Sequence, residues 1–215
     1  MSIFRWRWAR FVAITAFATA LGVGIFGARQ PILRTAGWAL VVDDPVGPVD
    51  IIVVAASADG AGVLEAADLV HSGIAARVAV FGDPPSSVDR EFLRRGIPYE
   101  DEAARLTRQL RALGVTTIEQ IPRAGGTQAE GLVLPGWCDE HQFRSILVVS
   151  SRDHSRRLHR VLHRSMKGHR TKITIRPSRY SPFDPDRWWE TRDGIRTEII
   201  ELQKLLLDVV RHPIS

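Results

Sequence analysis

The chain has 215 residues, which suits one ordinary domain plus an appendage. Its 45% apolar content allows a sizeable core, and its single cysteine, Cys138, excludes an intramolecular disulfide framework and any multi-cysteine metal site. The formal charge of +5 is already present in residues 1–34, which carry Arg5, Arg7, Arg10, Arg29 and Arg34 and no acid. The remainder is neutral overall, although residues 152–179 hold ten Lys or Arg against the single acid Asp153. Basicity of this local kind does not indicate nucleic-acid binding, and no nucleic-acid partner is expected.

Residues 1–10 are read as a cytoplasmic N-terminus and 11–28 as a transmembrane anchor. The uncharged run Phe11 to Ala28 covers roughly 27 Å as a helix, just enough for the hydrocarbon core, and Trp6 and Trp8 suit the interface. More arginines precede the run than follow it, which favours an extracytoplasmic domain at the inner or plasma membrane. A cleaved signal peptide, with Ala18-Thr19-Ala20 as its site, and a buried helix are the alternatives. Residues 29–48 form a juxtamembrane segment, and 49–215 the folded domain.

Within that domain "VDIIVVAAS" reads as a strand buried on both faces. A helix over about 60–71 ends at Gly73. "ARVAVFG" is a second strand, 86–95 a short helix, and 101–113 a helix stopped by Gly114. "TTIEQIP" is a third strand. Residues 127–141 are helical, with Pro135 expected to kink or divide them. Thr127 and Glu130 have capping-box spacing, a structural role that competes evenly with ligand binding. "RSILVVSS" is a fourth strand, 153–164 a helix, "TKITIRP" a fifth strand, and about 186–211 a last helix with Ile195, Ile199, Leu202, Leu205, Leu206 and Val209 on one side. The alternation predicts a doubly wound α/β domain with a mostly parallel, Rossmann-like sheet of about five strands. Ligand sites in such folds lie at the carboxyl ends of the strands, here Ser57, Gly82-Asp83, the loop before Thr127, and Ser150-Ser151.

The segment "SSRDHSRRLHRVLHR" carries three histidines and five arginines. At about 100° per residue, His154 shares a side with Leu158, Val161, Leu162 and Ser165, and Arg157 borders that side. Both point at the mouth of the sheet, where a helix N-terminus also suits an anion. A packed or capping histidine with an ion-paired Arg157 is the alternative. Arg156, His159, Arg160 and His163 fall opposite and read as a solvated face. His159 and His163 are one turn apart and could share a metal, but no third ligand is evident, so no metal site is assigned. No Gly-x-Gly-x-x-Gly follows a strand, and P-loop and Gly-x-Ser-x-Gly signatures are absent, so no cofactor is assigned.

The order of these segments resembles the bacterial domain-of-unknown-function family that includes the membrane proteins SanA, ElyC and YdcF. "VVDDPVGPVDIIVVAAS" is similar to the family opening and matches its aspartate at Asp50. "DEAARLTRQLRALGV" matches at Glu102, "GGTQAEG" at Thr127 and Glu130, and "VVSSRDHSRRL" at Ser151, His154 and Arg157. "RWWETRDGIRTEIIELQKLL" resembles the closing Trp-rich helix, with Glu201 and Lys204. The likeness covers about residues 40–208. It departs where the family's double glycines become Ala56-Ser57 and Gly82-Asp83, and where an arginine is replaced at or near Gly62. The resemblance implies a role in envelope integrity, peptidoglycan or lipid-carrier metabolism, and the barrier to vancomycin-like compounds.

Three functions are carried forward as expectations. The first is a membrane-anchored envelope protein that binds or processes a phosphorylated cell-wall precursor, free or lipid-linked. In it His154 serves as acid/base or phosphate donor, Arg157 clamps phosphate, Glu102 orients Arg157 or substrate, and Asp50, Ser57, Gly82, Thr127, Glu130, Ser150 and Ser151 contribute to ligand binding. The basic 152–179 surface would favour anionic headgroups. The second is a non-catalytic scaffold with a degenerate site that contacts other envelope proteins. The third is a nucleotide or methyl-donor binding domain.

Overall fold

The computed structural model describes residues 27–82, 84–99 and 101–213. Residues 1–10 and the expected span 11–28, apart from Gly27 and Ala28, lie outside them, as does Asp83. Among the described residues no helix is long and apolar enough to cross a membrane.

Residues 27–38 are helical (α1). The strands are β1 (Ile51–Val54), β2 (Arg77–Phe81), β3 (Thr117–Ile121), β4 (Ser145–Ser150) and β5 (Lys172–Pro177). They form one sheet in the order β3-β2-β1-β4-β5, and every pairing is parallel. Helices α2 (Asp59–His71), α3 (Ser87–Arg94), α4 (Glu102–Ala112), α5 (Thr127–Glu140), α6 (Ser155–Ser165) and α7 (Arg192–Arg211) complete the order. This is the expected α/β fold, and the strand order is Rossmann-like, reversing direction at the gap between β1 and β4.

The apolar run of β1 explains its central place. Ile51 and Val53 pack with Leu134 of α5 and with Leu158 and Leu162 of α6. Ile52 and Val54 pack with Val63 and Ala66 of α2 and with Leu106 and Leu110 of α4. A parallel sheet covered on both faces needs apolar side chains at consecutive positions, and β1 has them. Gly62 is where α2 meets this sheet: a Cβ there would lie 2.5 Å from that of Ala58 and 2.8 Å from Val54 Cγ1. A side chain at Gly62 would therefore require Ala58 or Val54 to move.

Four local expectations are corrected. Pro135 does not divide α5; it is buried among Leu134, Trp137 and Cys138, and that packing outweighs a penalty of about 3 kcal/mol. The N-cap of α5 is Gly126, at φ 93°, so Thr127 is the first helical residue and the Thr127–Glu130 capping box does not form. The last helix breaks at Thr191, whose side chain caps α7 by accepting from Gly194 N, after a short 3-10 turn at Trp188–Glu190.

The fourth concerns the face of α7. Its buried stripe is Glu198, Glu201, Leu205 and Asp208, while Ile195, Ile199, Leu206 and Val209 stand exposed. Acids face the fold because α6 meets them with cations: Arg160 Nε and Arg164 NH2 donate to the two oxygens of Asp208 at 2.8 and 3.0 Å.

The outer side of α6 is likewise not a simple solvated face. Residues 39–44 run across it, with Arg156 NH2 donating to Val41 O at 2.8 Å and Ser155 Oγ accepting from Val42 N at 2.9 Å. Leu40 is buried in a small cluster with Phe183 and Leu205. The segment expected as a juxtamembrane connection thus contacts the domain from Leu33 onward, whose carbonyl accepts from Trp188 Nε1 at 2.8 Å. Five of the ten cations in 152–179 pair with carboxylates: Arg157, Arg160, Arg164, Arg176 and Arg179. Much of that basic excess is neutralised within the protein.

Candidate functional site

The carboxyl edge of the sheet, near the β1–β4 reversal, brings four elements together. The turn after β1 supplies Ala56 and Ser57, the start of α5 supplies Gly126, Thr127 and Glu130, the η2 turn (Arg152–His154) and α6 supply His154 and Arg157, and α7 supplies Lys204. They line a recess of about 370 Å³. A neighbouring hollow of about 610 Å³ shares Ser57 and adds Ser151, Asp153, Thr191 and Thr197.

His154 is 7% exposed and is held entirely by polar groups. Its Nε2 lies 2.6 Å from Thr127 Oγ1, and its Nδ1 lies 3.1 Å from Glu201 Oε2. Arg157 reaches the same groups: Nε donates to Glu201 Oε2 at 3.1 Å, and NH1 donates to Thr127 Oγ1 at 3.0 Å. Its NH2 sits 2.8 and 3.2 Å from the two imidazole nitrogens, so the guanidinium lies against the ring rather than along one lone pair. Lys204 Nζ donates to Glu201 Oε1 at 2.7 Å. Burial opposes the charge of Glu201, but hydrogen bonds from His154 and Lys204 and the nearby charges of His154 and Arg157 bring its carboxyl down to about 2.

With the imidazole proton on Nδ1, His154 donates to Glu201 Oε2 and Nε2 accepts from the Thr127 hydroxyl, whose oxygen accepts from Arg157 NH1. This is the arrangement of a hydroxyl, a base and an orienting carboxylate. It can move a proton between Thr127 and the imidazole, with Glu201 steadying the imidazolium.

The charges explain what the recess can hold. Arg157 and Lys204 offset Glu201 and Glu130, and Glu130 is committed to the backbone, accepting from Ala56 N at 2.7 Å. Attraction for an anion then comes from the donors of Arg157 and Lys204 and from the N-terminus of α5, where no side chain caps the backbone N–H groups.

The sequence-predicted residues divide into three groups. His154, Arg157, Thr127, Glu130 and Ser57 line the recess together. Ser150 and Ser151 end β4 beside it: Ser151 lines the neighbouring hollow, and the Ser150 hydroxyl is buried without a hydrogen-bond partner among the described residues. Asp50, Glu102 and Gly82 serve elsewhere. Asp50 sits at the amino end of β1, where its carboxylate accepts from Arg144 N and Ser145 N at 2.6 and 2.9 Å and fixes the start of β4. Those backbone hydrogen bonds hold its carboxyl below the usual range. Glu102 begins α4 and pairs with Arg105, so the carboxylate that orients Arg157 is Glu201. Gly82 packs against the start of α4, where a Cβ would lie 3.1 Å from both Ala103 Cβ and Asp101 Oδ1. It does not line the recess with Ser57.

No family model matches the chain, and no curated protein is significantly similar to it.

Sequence reasoning missed how much α7 contributes to this edge of the sheet: the resemblance matches Glu201 only as part of a Trp-rich helix and does not single out Glu198. Glu198 is fully buried, and both its oxygens lack hydrogen-bond partners among the described residues. Burial, with the charge of Asp153 adding to it, pushes its carboxyl up to about 7. Burial likewise raises Asp153. The available signal was the spacing of Glu198, Glu201 and Asp208 with Leu205, one helical stripe rich in acids.

Proposed function

We propose that the protein is a membrane-anchored envelope protein that binds, and through His154 processes, a phosphorylated cell-wall precursor. The observation that carries this reading is the convergence of His154, Arg157, Lys204 and the uncapped start of α5 on one recess. A phosphate group needs such donors: a planar guanidinium, an imidazole able to give a proton, and backbone N–H groups at a helix start. The anchor read at 11–28 would hold the site near lipid-linked substrates. Thr127 supplies a hydroxyl oriented for ligand contact or attack, and Glu201 fixes the imidazole.

The test is replacement of the native copy in cells by His154→Ala at equal abundance, scored by sensitivity to envelope stress. Increased sensitivity is expected, and wild-type resistance would overturn the reading.

A second reading, a scaffold that binds another envelope protein, draws on one observation. Ile195, Ile199, Leu202, Leu206 and Val209 recur at alternating steps of four and three along α7, and four of them are exposed. Under that reading the His154→Ala cells behave as wild type, whereas Leu206→Asp impairs the envelope. The nucleotide-binding reading expects a groove beside both Ser57 and Gly82, and the recess that Ser57 lines with His154 does not include Gly82.

A further inference from the structure

The outer side of α6 holds a second constellation, unrelated to the recess. His159 and His163 lie one turn apart with their rings stacked, centroids 4.0 Å apart. The third ligand that the sequence did not reveal is Asp44. It lies in the segment between α1 and β1, where its N–H donates to Ile175 O at 3.0 Å and its Oδ2 accepts from Ile175 N at 2.9 Å. That anchoring to β5 points the carboxylate at α6, with Oδ2 3.9 Å from His159 Nε2. One donor atom from each of Asp44, His159 and His163 can be chosen so that all lie within 4.8 Å of one another.

These distances suit a small ion. Ligand atoms at about 2.0–2.1 Å from a tetrahedral zinc are about 3.3 Å from each other, so rotamer adjustments of an ångström or so close the set. At 3.9 Å the carboxylate and imidazole are too far apart for a direct hydrogen bond. The flanking cations do not occupy the gap: Arg156 is held by the carbonyls of Ala39 and Val41, and Arg160 by Asp208 and His212 O. Solvent reaches the cluster, with the Asp44 and His159 side chains 26% and 31% exposed, so a fourth position is open to water.

We infer that Asp44, His159 and His163 bind a divalent transition-metal ion of the zinc type, which clamps the segment following α1 onto α6. Two imidazoles and one carboxylate select zinc, cobalt or nickel over calcium and magnesium, which favour all-oxygen shells. The ion joins Asp44, three residues beyond the buried Leu40-Val41 pair, to the helix whose first turn carries Arg157. It would fix how the leading segment sits against the domain.

The test uses the purified full chain, stripped of metal and titrated calorimetrically with zinc chloride. Wild type is expected to bind one zinc per chain and to unfold at a higher temperature once loaded. His163→Ala and His159→Ala should weaken zinc at least on the order of 10- to 100-fold and abolish the thermal shift, and Asp44→Asn should weaken it less. His169→Ala, which removes an imidazole paired with Asp139 elsewhere, should bind as wild type does. A circular dichroism spectrum unchanged in each variant shows that folding is intact. Wild type failing to bind zinc, unchanged binding in His163→Ala and His159→Ala, or loss of binding in His169→Ala would each overturn the inference.

Discussion

Thr127 Oγ1 and His154 Nε2 lie 2.6 Å apart, joining the first residue of α5 to the turn after β4 across the reversal of the sheet. The contact fixes the imidazole from one side while Glu201 fixes it from the other. Thr127→Ser keeps the hydroxyl and should retain ligand affinity within a few-fold. Thr127→Val has nearly the same shape but cannot hydrogen-bond to either His154 or Arg157. Its cost should be about 1–3 kcal/mol in stability, with weakened anion binding. Thermal unfolding and phosphate titration of both variants check this.

Glu201 is the shared acceptor of His154, Arg157 and Lys204, and its removal strands them. Glu201→Leu should destabilise the protein by about 3–5 kcal/mol, measured by urea unfolding. The sign with pH follows from its carboxyl being held at about 2. The folded state binds this proton less readily than the unfolded chain does. Its stabilising contribution is therefore complete above about pH 4.5 and lost as pH falls toward 2.

Glu198 has the opposite sign. With its carboxyl raised to about 7, the folded state holds a proton that the unfolded chain has already released. Stability should fall as pH rises from about 4.5 to 7 and then level off. Glu198→Gln removes this dependence and should raise stability at pH 8 by on the order of 2–3 kcal/mol. Unfolding curves at pH 5 and pH 8 separate the variants; an equal difference at both would contradict the assignment.

Adjacent leucines of α7 should differ sharply. Leu205 is 8% exposed and packs with Leu40 and Phe183, so Leu205→Ala should cost about 2–4 kcal/mol. Leu206 is 64% exposed, and Leu206→Ser should change stability by about 0.5 kcal/mol or less. Chemical denaturation of the two variants side by side measures the contrast.

The fold was legible because its signals are local. Each strand is a short β-branched run, and Gly73 and Gly114 take the left-handed conformation just past α2 and α4, as their positions suggested. His154 and Arg157 were legible because helical periodicity separates them from Arg156 and Arg160. What could not be read was pairing between distant segments. Asp50 matched a family aspartate, but its backbone partners lie ninety-four and ninety-five residues away in Arg144 and Ser145. The apolar residues of α7 suggested a buried face, but the arginines of α6 turn the acidic stripe inward. Thr127 and Glu130 have the spacing of a helix cap, yet the glycine at 126 takes the capping position, so that Thr127 Oγ1 meets His154 and Arg157 while Glu130 accepts from Ala56 N.

The proposed recognition of a phosphate by the recess rests on His154 and Arg157. The most direct measurement compares binding of a short-chain prenyl phosphate and of the corresponding alcohol to the purified full chain and to its Arg157→Gln variant. Wild type should bind the phosphate at least about tenfold more tightly than the alcohol, and the variant should lose that preference. Equal affinity for phosphate and alcohol in the wild type, or an undiminished preference in the variant, would contradict the account.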